Sequence, residues 1–193
     1  MKTLMLLIMI VALQLIFFAC KDDPETIDIQ QTGIFSIEGV EYTIEHGEIL
    51  RFEPAHGAFG CPFYFLSDDY EFSDDNITGI GQVAEGFIWS DTDVYLKSGT
   101  YSIFDENNPQ STTFSISFFY NWDIETWDMD YIYQCKYGTL EVSRNGEVYD
   151  LFFDVITDKY EMASTMNPGE TPIQKDIRIK LSYSGTLEQK YFE

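Results

Sequence analysis

Tyr137-Gly138-Thr139-Leu140-Glu141-Val142-Ser143-Arg144-Asn145-Gly146-Glu147-Val148-Tyr149-Asp150-Leu151-Phe152-Phe153-Asp154-Val155-Ile156 is the stretch that decides the fold class. Leu140 and Val142 lead into Arg144-Asn145-Gly146-Glu147, and Tyr149, Leu151, Phe153 and Val155 lead out of it. A period of two places those side chains on one face of a strand, where a helix would need a period of 3.6. Asn-Gly tolerates positive φ at both central positions of a turn, as a tight type I′ hairpin requires. The stretch therefore predicts a β-hairpin with one buried face.

The same alternation extends outward from this hairpin in both directions. Phe35 and Ile37 alternate with Ser36 and Glu38, and Tyr42 and Ile44 with Thr43 and Glu45. Phe114, Ile116 and Phe118 alternate with Ser115 and Ser117, and Ile177, Ile179, Leu181 and Tyr183 with Arg178, Lys180 and Ser182. Gly39, Gly47, Asp74-Asp75-Asn76, Ser98-Gly99, Asn107-Asn108-Pro109, Asn167-Pro168-Gly169 and Ser184-Gly185 punctuate these runs. About nine or ten short strands result, so the expected fold is all-β. An antiparallel β-sandwich is the first expectation and a lipocalin-like β-barrel the alternative. Asp123 to Tyr133 is the one stretch that reads equally as a helix turn, a loop or an irregular strand, since Ile124, Trp127 and Tyr131 share a helical face.

The N-terminus carries an address. Lys2 precedes an apolar run from Leu4 to Ala19 that is interrupted only by Gln14. That is shorter than the roughly 20 apolar residues of a membrane span and suits a removable export signal. The run ends at Phe17-Phe18-Ala19-Cys20 and is followed at once by Lys21-Asp22-Asp23-Pro24-Glu25. Ala19-Cys20 resembles a lipobox, which implies cleavage after residue 19 and acylation of Cys20. The short acidic cluster resembles the tag that sends Bacteroidota lipoproteins to the outer face of the outer membrane. Two or three acyl chains anchor durably, at about 0.8 kcal/mol per buried CH₂. Residues 1–19 are thus expected to be a signal peptide, 20–32 a lipidated tether and 33–193 a single all-β domain. The twelve residues from Lys21 to Thr32 reach at most roughly 40 Å.

Ser98-Gly99-Thr100-Tyr101-Ser102-Ile103, the Tyr137-to-Tyr149 stretch and Tyr183-Ser184-Gly185-Thr186-Leu187 recur in an order similar to a large set of Bacteroidota surface lipoproteins. Their sequences read sGtYtf, GTvtVsrnGdtYtI and YsGtL, matching GTxxVSRNGxxY here. The resemblance spans most of residues 33 to 190. It implies a fold and a compartment; its motifs are turns and strand faces, and it carries no activity.

Charge narrows the partners. The formal net charge is −22, with 33 acidic against 11 basic side chains. Such a surface repels phosphate backbones, so no nucleic-acid partner is expected. The membrane is met through the lipid instead. An aromatic content of 17% argues for a packed domain rather than disorder.

The remaining chemistry is sparse. Cys61 and Cys135 are the only cysteines besides Cys20, and an exported even pair invites a disulfide. It would contribute about 4 kcal/mol in the chain-entropy picture. Two separate buried thiols are the equal alternative. His46 and His56 match no zinc spacing and read as loop or edge residues. No Gly-x-Ser-x-Gly elbow, phosphate loop or dinucleotide fingerprint occurs, so neither catalytic residues nor cofactors are expected. Asp68, Asp69, Glu71, Asp74, Asp75 and Asn76 offer oxygens of the kind calcium takes, without the EF-hand order, and read as a solvated acidic turn.

Phe119 to Tyr131 is the most suggestive segment. Sugars are held by an aromatic face flanked by carboxylates that take hydroxyls. Trp122 and Trp127 beside Asp123, Glu125, Asp128 and Asp130 supply both halves, and Trp122, Trp127, Asp123 and Asp128 are the candidate ligand-binding residues. Three roles follow for a lipid-anchored, non-enzymatic surface protein. It is a module binding glycan or another ligand, a structural or adhesive coat protein that meets protein partners, or a carrier of apolar ligands inside a barrel.

Overall fold

The computed structural model describes residues 32–50, 53–55, 58–73, 76–92, 95–105, 112–162 and 171–190. The proposed signal peptide, Cys20, all of the proposed tether but Thr32, His56, Asp74 and Asp75 lie outside them. The elements are β1 (Thr32–Ile37), β2 (Val40–Leu50), β3 (Glu53–Ala55), β4 (Ala58–Ser67), β5 (Tyr70–Ser73) and β6 (Asn76–Ser90), followed by β7 (Gly99–Ile103), β8 (Thr113–Asp123), β9 (Tyr131–Asn145), β10 (Val148–Glu161), β11 (Gln174–Thr186) and β12 (Glu188–Lys190).

The fold is all-β, as the alternation predicts, but it is a closed nine-strand barrel and not a sandwich. Around the wall run β1, β2, β4, β6, β8, β7, β9, β10 and β11, which returns to β1. Closure comes from β2. Its first half pairs with β1, from Gly33↔Ile44 to Ile37↔Val40, and its second half with β4, from His46↔Leu66 to Ile49↔Phe63. The register shift between Ile44 and His46 marks a bulge that bends the strand from one neighbour to the other. A closed wall has no free sheet edge.

The five-residue β7 is wedged between β8 and β9. It is antiparallel to β9 from Gly99↔Val142 to Ser102↔Thr139, and parallel to β8 at Ser102↔Thr113 and Ile103↔Phe114. Beyond its end, β8 and β9 pair directly from Ser117↔Gln134 to Tyr120↔Tyr131. The barrel is thus one strand wider at the end that carries β7.

The inward faces are those the alternation marks: Phe35, Ile37 and Ile44, then Phe114, Ile116 and Phe118, and finally Ile177, Ile179, Leu181 and Tyr183. Their rings meet across the lumen rather than only along the wall. Phe63 of β4 lies 5.6 Å from Phe153 of β10, Phe65 of β4 lies 5.0 Å from Tyr183 of β11, and Phe35 of β1 lies 6.3 Å from Phe118 of β8. These strands are not neighbours, so the interior is filled by side chains, as in other barrels of this girth. Gly47 is no punctuator but lies within β2, because a Cβ there would sit 2.7 Å from the Tyr183 ring.

The hairpin of β9 and β10 forms as expected, with Asn145 opposite Val148. Its turn is one residue out of the expected frame. Asn145 is the last strand residue, the loop is Gly146-Glu147, and positive φ is confined to Gly146 at +66°. That is the pattern of a type II′ turn, which asks for glycine first and leaves the second position open. The type I′ pattern occurs instead between β1 and β2, where Glu38 and Gly39 have φ of 51° and 84°.

Each barrel end is closed by polar and aromatic groups. At the end holding the β1–β2 turn, Lys159 Nζ donates to Glu38 Oε2 at 2.9 Å, and Tyr133 Oη donates to the same oxygen at 3.0 Å. At the other end, which holds Thr32, Gly146 and Thr186, fully buried Leu96 plugs the lumen. There the Arg144 guanidinium lies 4.3 Å from the Tyr95 ring centroid and 5.6 Å from that of Tyr149.

Candidate functional site

Asp123 to Tyr133 is neither helix nor open loop. β8 runs to Asp123, a tight turn follows, and β9 starts at Tyr131. Asp123 builds the turn. Its Oδ1 accepts from the backbone N–H of Glu125 at 3.0 Å and of Thr126 at 3.2 Å, a side-chain mimic of a backbone turn. Its carbonyl accepts from Trp127 N–H at 2.9 Å, and its own N–H donates to the Asp128 carbonyl at 2.8 Å. The hydrogen bonds from Thr126, ahead of that from Glu125, hold the Asp123 carboxyl below its ordinary range. Through Oδ1 this carboxylate holds the loop in shape.

The two tryptophans are brought together, with ring centroids 5.6 Å apart, but face different media. Trp122 is 6% exposed. It packs 4.9 Å from Phe119 in a second apolar cluster, which includes Leu66, Tyr70, Val83, Met129 and Ile132 on the outer surface of the wall. Tyr70 Oη donates to the Trp122 carbonyl at 2.6 Å, pinning the β5–β6 hairpin over that cluster. Trp127 is 60% exposed and sits at φ +59°, a left-handed conformation that bulky residues rarely adopt. The loop thus holds one indole out to solvent on a stiff support.

Beside it lies a cleft of about 400 Å³ lined by Ile80, Asn121, Asp123, Asp128, Met129 and Asp130. Trp127 stands one residue from its wall. Asn121, also at positive φ, donates from Nδ2 to Asp130 Oδ2 at 2.7 Å, and its N–H donates to Gln82 Oε1 at 3.2 Å. Asp128 is exposed, and its Oδ1 accepts from Met129 N–H at 3.1 Å. Trp127 and Asp128 therefore remain as outward-facing candidates. Trp122 serves as support, and Asp123 both shapes the loop and lines the cleft. Asn121 and Asp130 come from the segment the sequence singles out, while Gln82 joins from β6 unannounced by any local sequence signal.

No family model, curated protein or solved structure matches this chain.

The other sequence candidates are dispersed. Cys61 and Cys135 are not joined to each other in a disulfide. Cys61 lies in the lumen on β4 and Cys135 on β9, with β6 and β8 between them around the wall. Burial raises both thiols, that of Cys135 to about 12. His46 is within β2 and not in a loop, and its Nε2 lies 2.5 Å from Glu48 Oε1. Asp69 Oδ2 accepts from Ser67 Oγ at 3.0 Å. Among the described residues no three His, Cys, Asp or Glu side chains converge as metal ligands.

Proposed function

We propose that this chain is a lipid-anchored surface protein of the outer membrane, exported by residues 1–19 and acylated at Cys20, whose barrel displays a glycan-binding loop. The observation that carries the binding role is Trp127: an exposed indole held at positive φ beside a cleft bearing Asp128 and Asp130. A sugar ring stacks its C–H face on an indole and gives its hydroxyls to carboxylates and amides. A rigid aromatic loses little entropy in doing so.

Topology supports the display role. Thr32, where β1 begins, pairs with Ser184 at one barrel end, and Trp127 caps the β8–β9 hairpin at the other. A barrel tethered through residues 20–32 carries Trp127 away from the lipid. The rings that meet across the lumen speak against carriage of an apolar ligand inside it. The adhesive reading keeps one observation of its own. Ile34 and Phe152, both exposed, flank Ser182 in a shallow depression of about 680 Å³ on the outer wall.

Glycan-array binding of the mature protein, with and without Trp127→Ala, tests the proposal. Retention that Trp127→Ala abolishes is the expected result; no retention by the parent, or retention unchanged by the substitution, overturns it. Intact mass of the native product tests the anchor, which requires acyl adducts on a chain beginning at Cys20.

A further inference from the structure

A second place in the wall is built like a site, with a lining that shares no residue with the cleft beside Trp127. Cross-strand register lines up outward-facing residues of β4, β6 and β8. Tyr64 lies opposite Glu85 and Glu85 opposite Ser117; one step along, Phe87 lies opposite Pro62 and Ser115. The serines are short, so the row is notched. The notch is a cleft of about 210 Å³ lined by Tyr64, Glu85, Phe87, Ser115 and Ser117, with Gly86 and Ile116.

Glu85 is half-buried and has no hydrogen-bond or ion-pair partner among the described residues. Burial holds its carboxyl above the ordinary range. Burial first, then the charges of Glu85 and Glu48, raises the Tyr64 hydroxyl. Phe87 is 46% exposed yet braced, since its ring stacks on Trp89 at 5.8 Å and Trp89 stacks on Phe104 at 4.1 Å. The cleft therefore offers an uncompensated carboxylate between two aromatic side chains, one of them fixed from behind.

The physical chemistry selects the ligand. An anion is repelled by Glu85 and by a net charge of −22. A neutral apolar group would strip the carboxylate of water and give nothing back. A cation gains a charge-assisted hydrogen bond from the carboxylate and attraction to the ring faces, and the protein's field draws it in. We propose that the Tyr64–Glu85–Phe87 cleft binds an organic ammonium ion, with the ammonium on Glu85 and its alkyl carbons against Phe87 and Tyr64.

Tyr64 faces Glu85 from β4, Ser117 faces it from β8, and Glu48 is the next acid along the row, engaged with His46. Binding needs the ionised Glu85 carboxylate, so it weakens as pH falls through the raised value of that group.

The test is titration of the mature chain with n-butylammonium at fixed ionic strength, followed by NMR. Glu85→Gln, Phe87→Ala and the charge-matched control Glu147→Gln, at the exposed turn of the β9–β10 hairpin, are compared with the parent. Saturable binding that Glu85→Gln weakens about tenfold or more, and that Glu147→Gln leaves unchanged, is expected. Phe87→Ala should weaken it to a lesser degree, and Trp127→Ala should not affect it. Failure of the parent to saturate, an unaltered affinity in Glu85→Gln, or an equal loss in Glu147→Gln would overturn the proposal.

Discussion

Lys159 Nζ lies 2.9 Å from Glu38 Oε2, tying β10 to the β1–β2 turn across 121 positions of sequence. The same ammonium is 4.2 Å from the Tyr131 ring centroid. Lys159→Met keeps the alkyl stem and removes the charge. It should lower stability by about 1–2 kcal/mol, read as a shift of the denaturant midpoint. The hydrogen bond from Lys159 is the largest influence holding the Glu38 carboxyl below its ordinary 4.5. A carboxyl lowered in the folded state stabilises above its unfolded value, and that contribution is lost as pH falls through the folded value. The gap between parent and variant should therefore narrow as pH drops below 4.5.

Trp122 and Trp127 should separate in opposite directions. Trp122→Ala empties part of the outer cluster and should cost about 3 kcal/mol or more. Trp127→Ala removes an exposed side chain and should leave the midpoint within about 0.5 kcal/mol. Trp127→Gly should be about 1 kcal/mol more stable than Trp127→Ala, because glycine carries no penalty at φ +59°. Equal midpoints for the Ala and Gly variants would contradict the strain assigned to this position.

Glu85→Gln should stabilise the protein near neutral pH. The folded-state carboxyl is raised by burial above its ordinary 4.5, so the ionised form is disfavoured in the fold. That penalty is absent below the unfolded value, grows as pH rises through the folded value, and is full above it. Urea midpoints of parent and variant should converge in acid and diverge toward pH 7. A constant difference across that range would show that ionisation of Glu85 is not responsible.

Cys61 and Cys135 should count as two thiols, with Cys61 silent until the barrel opens. A thiol reagent at neutral pH should leave Cys61 unlabelled in the native protein and label the partly buried Cys135 only slowly, since the thiolate is the reactive form and burial disfavours it. Both should label at once in denaturant. A mobility change on reduction would instead reveal a bridge.

What could be read in advance divides along the range of the interactions. Inward positions such as Phe35, Phe153 and Ile179 follow from local alternation, which any half-buried strand obeys. Closure does not, because alternation is the same in a sandwich and a barrel. What distinguishes them is a bulge in β2 and its switch of partner from Gly33 to Leu66. The frame of the Asn145-Gly146-Glu147 turn depends on register between strands, where one residue decides the turn type. Trp122 and Trp127, with their neighbouring acids, mark the loop from sequence, but which indole is buried depends on the fold of Asp123 around its own backbone. Tyr64, Glu85 and Ser117 give no local signal, since only the stacking of three strands makes them neighbours.

The three indoles of this protein occupy three distinct surroundings: Trp89 stacked between Phe87 and Phe104, Trp122 beneath the β5–β6 hairpin, and Trp127 in water. A collisional quencher such as acrylamide therefore reaches one emitter and is shielded from the other two. The molecule is its own optical instrument. Shielding of the accessible emitter reports occupancy of the loop, and a red shift of the shielded pair reports loss of the barrel, with no dye attached.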